Sequence, residues 1–242
     1  MIKNKTVLCL VLARKNSKGL PNKNLKKLNG IPLVGISINT ALKSKYIDDV
    51  ILSTDCEKIA RIGTKYGANV PFMRPNNLAR DASKSEDVIL HVLDKIDKQY
   101  DYFILLEPTS PFTTSNDVDE AITELNKHSK NYESIVSVSK VEESHPDFCY
   151  KLSKNNKIIS YRLKNKKLQP RRQDISQLFF CDGSLYGSCS SSFKKNKSFF
   201  HKKTLAKIMP KWKSLEIDDY IDYIHAEATM KNINKILSNE KK

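Results

Sequence analysis

Apolar runs alternate with helix-period segments through the first half of the chain. "TVLCLVLA" (6–13), "DVILSTD" (49–55), "DYFILLE" (101–107) and "SIVSVSKV" (134–141) are short and largely apolar, the pattern of strands buried on both faces. "ANVPFMR" (68–74) reads as a further short strand. Between them, "PLVGISINTALKSK" (32–45) predicts a helix opened by Pro32, and "CEKIARIGTKYG" (56–67) one stopped by Gly67. "KSEDVILHVLDKI" (84–96) has the same period, and Asn116 and Asp117 are placed to cap a helix running through Leu125. Such alternation with short connections predicts an α/β domain, a mostly parallel sheet with helices on both faces. From about Glu142 to Leu178 the pattern breaks. "NNKIISYRLKNKKLQPRRQD" (155–174) is polar, basic and weakly stranded, an excursion from the core rather than part of it. Regular structure returns with "LFFCDGSLYGS" (178–188) and "TLAKIMP" (204–210), and a last helix is expected from about Asp218 to Leu237. The chain, 1–242, reads as one domain with an appendage.

Sheets of this kind bind ligands beyond the carboxyl ends of their strands. That edge receives the segment after the first run, "ARKNSKGLPNKN" (13–24), together with Ser53-Thr54-Asp55, Arg74 and Glu107-Pro108-Thr109-Ser110. The 13–24 segment packs four cations, one glycine and one proline into its twelve positions. A glycine lets backbone approach a ligand closely and cations neutralise phosphate oxygens, Arg14 bidentately and Lys18 and Lys23 as point charges. Neither a P-loop Gly-Lys-Ser/Thr nor a G-x-G-x-x-G occurs here. On residue chemistry alone, a phosphate cradle and a solvated basic turn both remain open.

A net charge of +15 invites a nucleic-acid reading, but 35 of the 42 basic residues are lysines scattered over the whole chain. Aromatic residues are not interleaved with them as single-strand platforms require. The excess suits a solvated surface and a small polyanionic substrate. Five cysteines, Cys9, Cys56, Cys149, Cys181 and Cys189, are odd in number and lack metal-ligand spacing, which points to a reducing, cytoplasmic setting. The first apolar run is too short for a signal peptide, and no stretch approaches a membrane span.

"LARKNSKGLPNKNLKKLNGIPLVG" (12–35) closely resembles the opening of acylneuraminate cytidylyltransferases, the synthetases of CMP-sialic acid. The resemblance continues in order through "LSTD" (52–55), "RPNNLARDASKS" (74–85), "LLEPTSPF" (105–112), "QPRRQ" (169–173), "DGSLY" (182–186) and "SLEIDDYIDY" (214–223). It resolves the open choice at 13–24 in favour of a phosphate cradle. It implies a nucleotide-diphosphosugar transferase-like fold, a homodimer, and use of CTP with Mg²⁺ or Mn²⁺. The anomeric hydroxyl of a nonulosonic, sialic acid-like 2-keto sugar acid would attack the α-phosphate, and pyrophosphate would leave. Carried over by position, Arg14, Lys18 and Lys23 bind the triphosphate, with Ala13, Ser17, Gly19 and Asn24 lining the loop. Arg74 and the segment from Asp81 through Ser83 to Ser85 hold the cytidine end. Glu107, Arg171, Asp182 and Tyr186 fall at the sugar acid, and Glu216 and Asp218 at the metal. The 142–178 excursion becomes a dimer arm, with Arg171 or Arg172 reaching the neighbouring site.

Phosphoryl transfer asks chiefly for positioning and charge neutralisation, so three cations and a divalent metal make physical sense there. Bland alternatives stand beside these roles: Asp218 as the cap of the last helix, Arg171 and Arg172 as surface cations, Tyr186 as a core residue, and His145 as a structural histidine. The chain also departs from the family's usual residues. It has Glu107 for the usual Gln, Thr113 for Arg, Asp182 for Asn and Glu216-x-Asp218 for Asp-x-Asp. Glu107 and Asp182 add negative charge where an anionic sugar acid is expected, which favours an acceptor such as a legionaminate-like sugar. A cytidylyltransferase acting on 3-deoxy-manno-octulosonate is the alternative enzyme, though its relatives lack the "SKGLPxKN" continuation seen at 17–24.

Overall fold

The structure is a computed structural model that describes residues 2, 4–162, 171, 173 and 175–240. Its centre is a six-stranded sheet built from β1 (Val7–Leu12), β4 (Asp49–Ser53), β5 (Tyr102–Leu106), β6 (Ser134–Lys140), β9 (Phe179–Cys189) and β10 (Thr204–Ile208), in the order β10-β6-β9-β5-β1-β4. β1 pairs in parallel with β4 and β5, and β6 with β10, while β9 runs antiparallel to both of its neighbours. The mostly parallel sheet expected from the sequence is thus present, with one reversed strand. Small two-stranded sheets join β2 (Lys27–Leu28) to β3 (Ile31–Pro32) and β7 (Tyr150–Leu152) to β8 (Ile158–Ser160).

Period-two alternation along β1 explains why helices cover both faces. Val7, Cys9 and Val11 face a core shared with α1 (Leu33–Leu42), α2 (Glu57–Lys65) and α4 (Ser115–Lys127). Leu8, Leu10 and Leu12 face the other way, against α3 (Ser85–Lys95) and α5 (Ser190–Asn196). On that second face Phe103 and Phe193 meet edge-on at 5.1 Å, both fully buried. Burial of this kind stabilises by about 1.5–3 kcal/mol per large side chain. A third, smaller cluster gathers Leu20, Leu28, Leu33, Phe112, Ile217 and Ala226. It fastens the loop after β1 to the segment before α6 (Tyr220–Lys231), and so decides where the site lies.

Several expectations need correction. Segment 68–74 is not a strand: it makes one parallel bridge, Ile51 to Asn69, and stops. Pro71 has no N–H to continue the ladder. The cap of α4 is Thr114, whose hydroxyl accepts from the Asp117 N–H at 3.3 Å while Asp117 Oδ2 accepts from the Thr114 N–H at 2.8 Å. Asp117 is therefore the far half of a capping box, and Asn116 lies inside the helix, bonded to Glu120. The last helix is two, α6 and α7 (Ile233–Glu240), broken at Asn232, whose side-chain amide donates to the Ala228 carbonyl at 2.9 Å. The described part of the excursion holds the β7–β8 hairpin. Leu152, Ile158, Ile159 and Tyr161 are exposed there, as are Phe179 and Phe180 where β9 begins. Arg172 lies outside the described residues, and Arg171 is exposed. No described helix is long and apolar enough to cross a membrane.

Candidate active site

The 13–24 loop leaves β1 at the carboxyl edge of the sheet and is held by its own polar residues. The Ala13 N–H donates to the Ser53 carbonyl at 3.1 Å, extending the pairing of β1 with β4. The Lys15 N–H donates to Asp55 Oδ1 at 2.7 Å, and buried Asn24 donates through Nδ2 to the Arg14 carbonyl at 2.9 Å. With its backbone fixed on both sides, the loop turns its cations outward. Arg14, Ser17, Lys18, Gly19, Lys23 and Asn24 line one cleft of about 450 Å³ with Leu12, Glu107, Pro108, Thr109, Asp218 and Asp219.

The far wall comes from the other end of the sequence. Gly19 packs so closely on it that a Cβ would stand 2.3 Å from the Asp218 carbonyl oxygen, so a residue with a side chain would push the loop away. Lys23 Nζ meets Asp218 Oδ1 at 2.9 Å, joining residues 195 apart in the chain. Asp218 does not cap α6. Asp219 does, accepting from the Ile221 and Asp222 N–H groups at 2.8 and 3.0 Å. The carboxylate of Asp218 is thus left to the cleft.

Glu216 sits behind Asp218. Its Oε1 accepts from the Thr109 hydroxyl at 3.3 Å. Gly183, at φ +74, leaves space against Oε2, where a Cβ would come within 3.2 Å. Desolvation and then the Asp218 carboxylate push the Glu216 carboxyl above its usual range, with the Thr109 hydrogen bond and Lys23 pulling the other way. Two carboxylates that repel one another beside a phosphate-sized cleft fit a hard divalent ion, which would take its other ligands from phosphate and water. Among the described residues no group of three or more His, Cys, Asp or Glu is placed to hold a metal by itself.

Glu107 follows β5 directly. Desolvation, then Glu216, raise its carboxyl to about 7, against the opposing pull of Arg74 and Lys23. Among the described residues its carboxylate makes no hydrogen bond or ion pair, whereas Asp55, Asp81, Glu216 and Asp218 nearby are all engaged. Arg74 is buried beside it, with Nε and Nη2 donating to Ser53 Oγ and the Ser53 carbonyl at 3.1 and 2.6 Å. Burial pushes its guanidinium down to about 10.

The other predicted residues make contacts within the chain itself. Asp81 is turned to the cations: Oδ1 meets Arg14 Nη1 at 2.6 Å and Oδ2 meets Lys18 Nζ at 3.2 Å. Asp182 is buried, and its charge adds to the rise at Glu216. Its oxygens accept from Ser137 Oγ, Ser139 Oγ and the Ser184 N–H at 2.5, 2.6 and 3.0 Å. Tyr186 packs its ring 5.1 Å from Phe199 in the second core, and burial followed by Glu107 raises its phenol. Ser83 folds its own turn, donating to the Asn77 carbonyl at 2.9 Å, and Ser85 opens α3. His145 is structural, buried with its ring between Ser176 O at 3.0 Å and the Asp147 N–H at 3.1 Å. Two residues of the site carry roles the sequence did not suggest: Thr109, which orients Glu216, and Asp219. The Asp219-x-x-Asp222 spacing of a capping box was the available signal for the latter.

A family model described as "Cytidylyltransferase" matches residues 8–241. The chain belongs to the cytidylyltransferase family. It is 32% identical over 232 residues to a CMP-N,N'-diacetyllegionaminic acid synthase of Legionella pneumophila, covering 93% of this chain and 96% of that one. It is 33% identical over 220 residues to an N-acylneuraminate cytidylyltransferase of Streptococcus agalactiae, covering 90% of this chain but 52% of the relative. The chain therefore spans about half the length of that N-acylneuraminate relative. Its fold also matches a CMP:2-keto-3-deoxy-manno-octonic acid synthetase complexed with CTP, at TM-score 0.69 and 14% identity, over 94% of this chain and 99% of that one. At that identity the likeness shows the fold alone.

Proposed function

We propose that the protein transfers CMP from CTP to the anomeric hydroxyl of a nonulosonic 2-keto acid, of the legionaminate or sialate type. The sugar hydroxyl gives its proton to water, its oxygen bonds to the α-phosphorus, the bond to the bridging oxygen breaks, and pyrophosphate departs with the displaced electron pair. The observation that carries this reading is the meeting of Arg14, Lys18, Lys23 and Asp218 in one cleft at the carboxyl edge of the sheet. Three cations from one loop favour a transition state whose negative charge spreads over phosphate oxygens. On this reading Arg74, held by Ser53 at the end of β4, would take the nucleoside and Glu107 the acceptor. Near full-length similarity to a legionaminate synthase supports that sugar class.

Glu216 and Asp218 would hold Mg²⁺ or Mn²⁺, which supplies charge neutralisation at the phosphates. A homodimer suits the exposed apolar hairpin β7–β8 and the start of β9, since large apolar surfaces together mark interaction sites. Arg171 on that arm is the residue to meet a sugar carboxylate across the interface. Five unpaired cysteines suit a reducing cytoplasm. The test is product identity. CTP, Mg²⁺ and a diacetylated legionaminic acid should yield a CMP-linked sugar and pyrophosphate in equal amounts by phosphorus NMR; absence of any CMP-linked product across the nonulosonic acids would refute the assignment.

A further inference from the structure

The phosphate loop already has an anion on it. Asp81 projects from a short turn between Leu78 and α3, closed by Ser83 Oγ on the Asn77 carbonyl at 2.9 Å and by the Arg80 N–H on Ser83 Oγ at 3.1 Å. That turn aims the carboxylate at the cleft loop, and each of its oxygens meets a different cation, Arg14 at 2.6 Å and Lys18 at 3.2 Å. These are two of the three cations assigned to the triphosphate, while the third, Lys23, is paired with Asp218. Cations this close to one another repel unless an anion lies between them.

We propose that Asp81 is a built-in stand-in for phosphate, which holds Arg14 and Lys18 in place in the empty enzyme and competes with triphosphate and pyrophosphate for them. This rests on the reading of the 13–24 loop as the triphosphate cradle. Asp81 is a positioning residue in this account. The side chains concerned are partly or largely exposed, and exposed ion pairs are weak and screened, so a ligand bearing several negative charges displaces the carboxylate. When pyrophosphate has formed, the return of Asp81 offers its cations another partner and hastens its departure. A carboxylate that bound the nucleotide directly would have the opposite effect, since its removal would weaken binding.

The probe is inorganic pyrophosphate, titrated calorimetrically into wild type, Asp81→Asn, Asp81→Ala and Asp87→Asn. Asp87, exposed on the first turn of α3, gives the same change in net charge and touches neither cation. Both Asp81 variants should bind pyrophosphate about three- to tenfold more tightly at low ionic strength, the loss of two exposed pairs. The gap should narrow at high salt, and Asp87→Asn should stay close to wild type. Unchanged or weaker binding in the Asp81 variants, or an equal gain in Asp87→Asn, would overturn the stand-in while leaving the cradle intact. A wild-type chain that binds no pyrophosphate would overturn the cradle and the stand-in together.

Discussion

Replacing Glu107 by Gln should stabilise the empty protein at alkaline pH and leave it unchanged in acid. Glu107 is half-buried, its carboxylate unpartnered among the described residues, with Glu216 near enough to help raise its carboxyl to about 7 from an ordinary 4.5. The folded chain therefore keeps a proton that the unfolded chain has already lost between those two values. Stability falls as pH rises through that window, and above about pH 7 the whole penalty remains. Each tenfold change in proton affinity is worth about 1.4 kcal/mol, so the unscreened limit is about 3 kcal/mol. Partial solvent access reduces this to about 1–3 kcal/mol. Gln keeps the shape and carries no charge to bury. The assay is thermal unfolding in buffer free of nucleotide and divalent metal, because either would supply compensating charge. A gain of about 2–10 °C is expected near pH 8, and none near pH 5. A difference that is the same at both pH values, or a loss near pH 8, would mean that Glu107 is ionised and satisfied, and the reasoning would fail.

Lys23→Ala and Arg14→Ala should each lower kcat/KM by about ten- to a hundredfold, with circular dichroism unchanged, since each loses one charge-assisted contact to ligand. Asp218→Asn should raise the divalent-ion concentration needed for half-maximal rate and weaken Mn²⁺ binding followed by water-proton relaxation. It should spare the melting temperature, whereas Asp219→Ala should cost about 1 kcal/mol of stability through loss of the α6 cap. If sites are shared across a two-fold dimer, inactive Arg171→Ala and Lys23→Ala chains, once mixed and re-associated, should regain up to about a quarter of wild-type activity. No recovery after proven subunit exchange would assign each site to one chain.

Local features were legible and distant ones were not. "TVLCLVLA" and its counterparts declare buried parallel strands because both faces are covered, and all four of the strong apolar runs are strands in the sheet. The weak run at 68–74 failed on a single Pro71, a cue already in the sequence. Caps moved by one or two residues, at Thr114 and Asp219, because several Ser, Thr, Asp or Asn residues compete near each helix start and only the folded backbone chooses among them. The 13–24 cluster could be recognised as a loop at the ligand edge. Its pairing with Asp218 could not, since that contact forms only when the third core cluster draws residues 20–33 against 217–226, and neither could its pairing with Asp81, 67 residues away in the chain. Charge counted along the sequence also could not tell which carboxylates are engaged. Asp182 spends its carboxylate on two serine hydroxyls and a backbone N–H, and Glu107 does not.

On the proposed function, one cleft, walled by the 13–24 loop and by Asp218, transfers CMP to a nonulosonic acid. Pyrophosphate release measured over all four nucleoside triphosphates and a panel of nonulosonic acids, for wild type and Lys23→Ala side by side, tests it most directly. Release should occur with CTP and at least one nonulosonic acid, depend on divalent metal, and collapse in Lys23→Ala. Release that ignores the identity of the nucleotide, proceeds without the sugar acid, or persists at the wild-type rate in Lys23→Ala would contradict it.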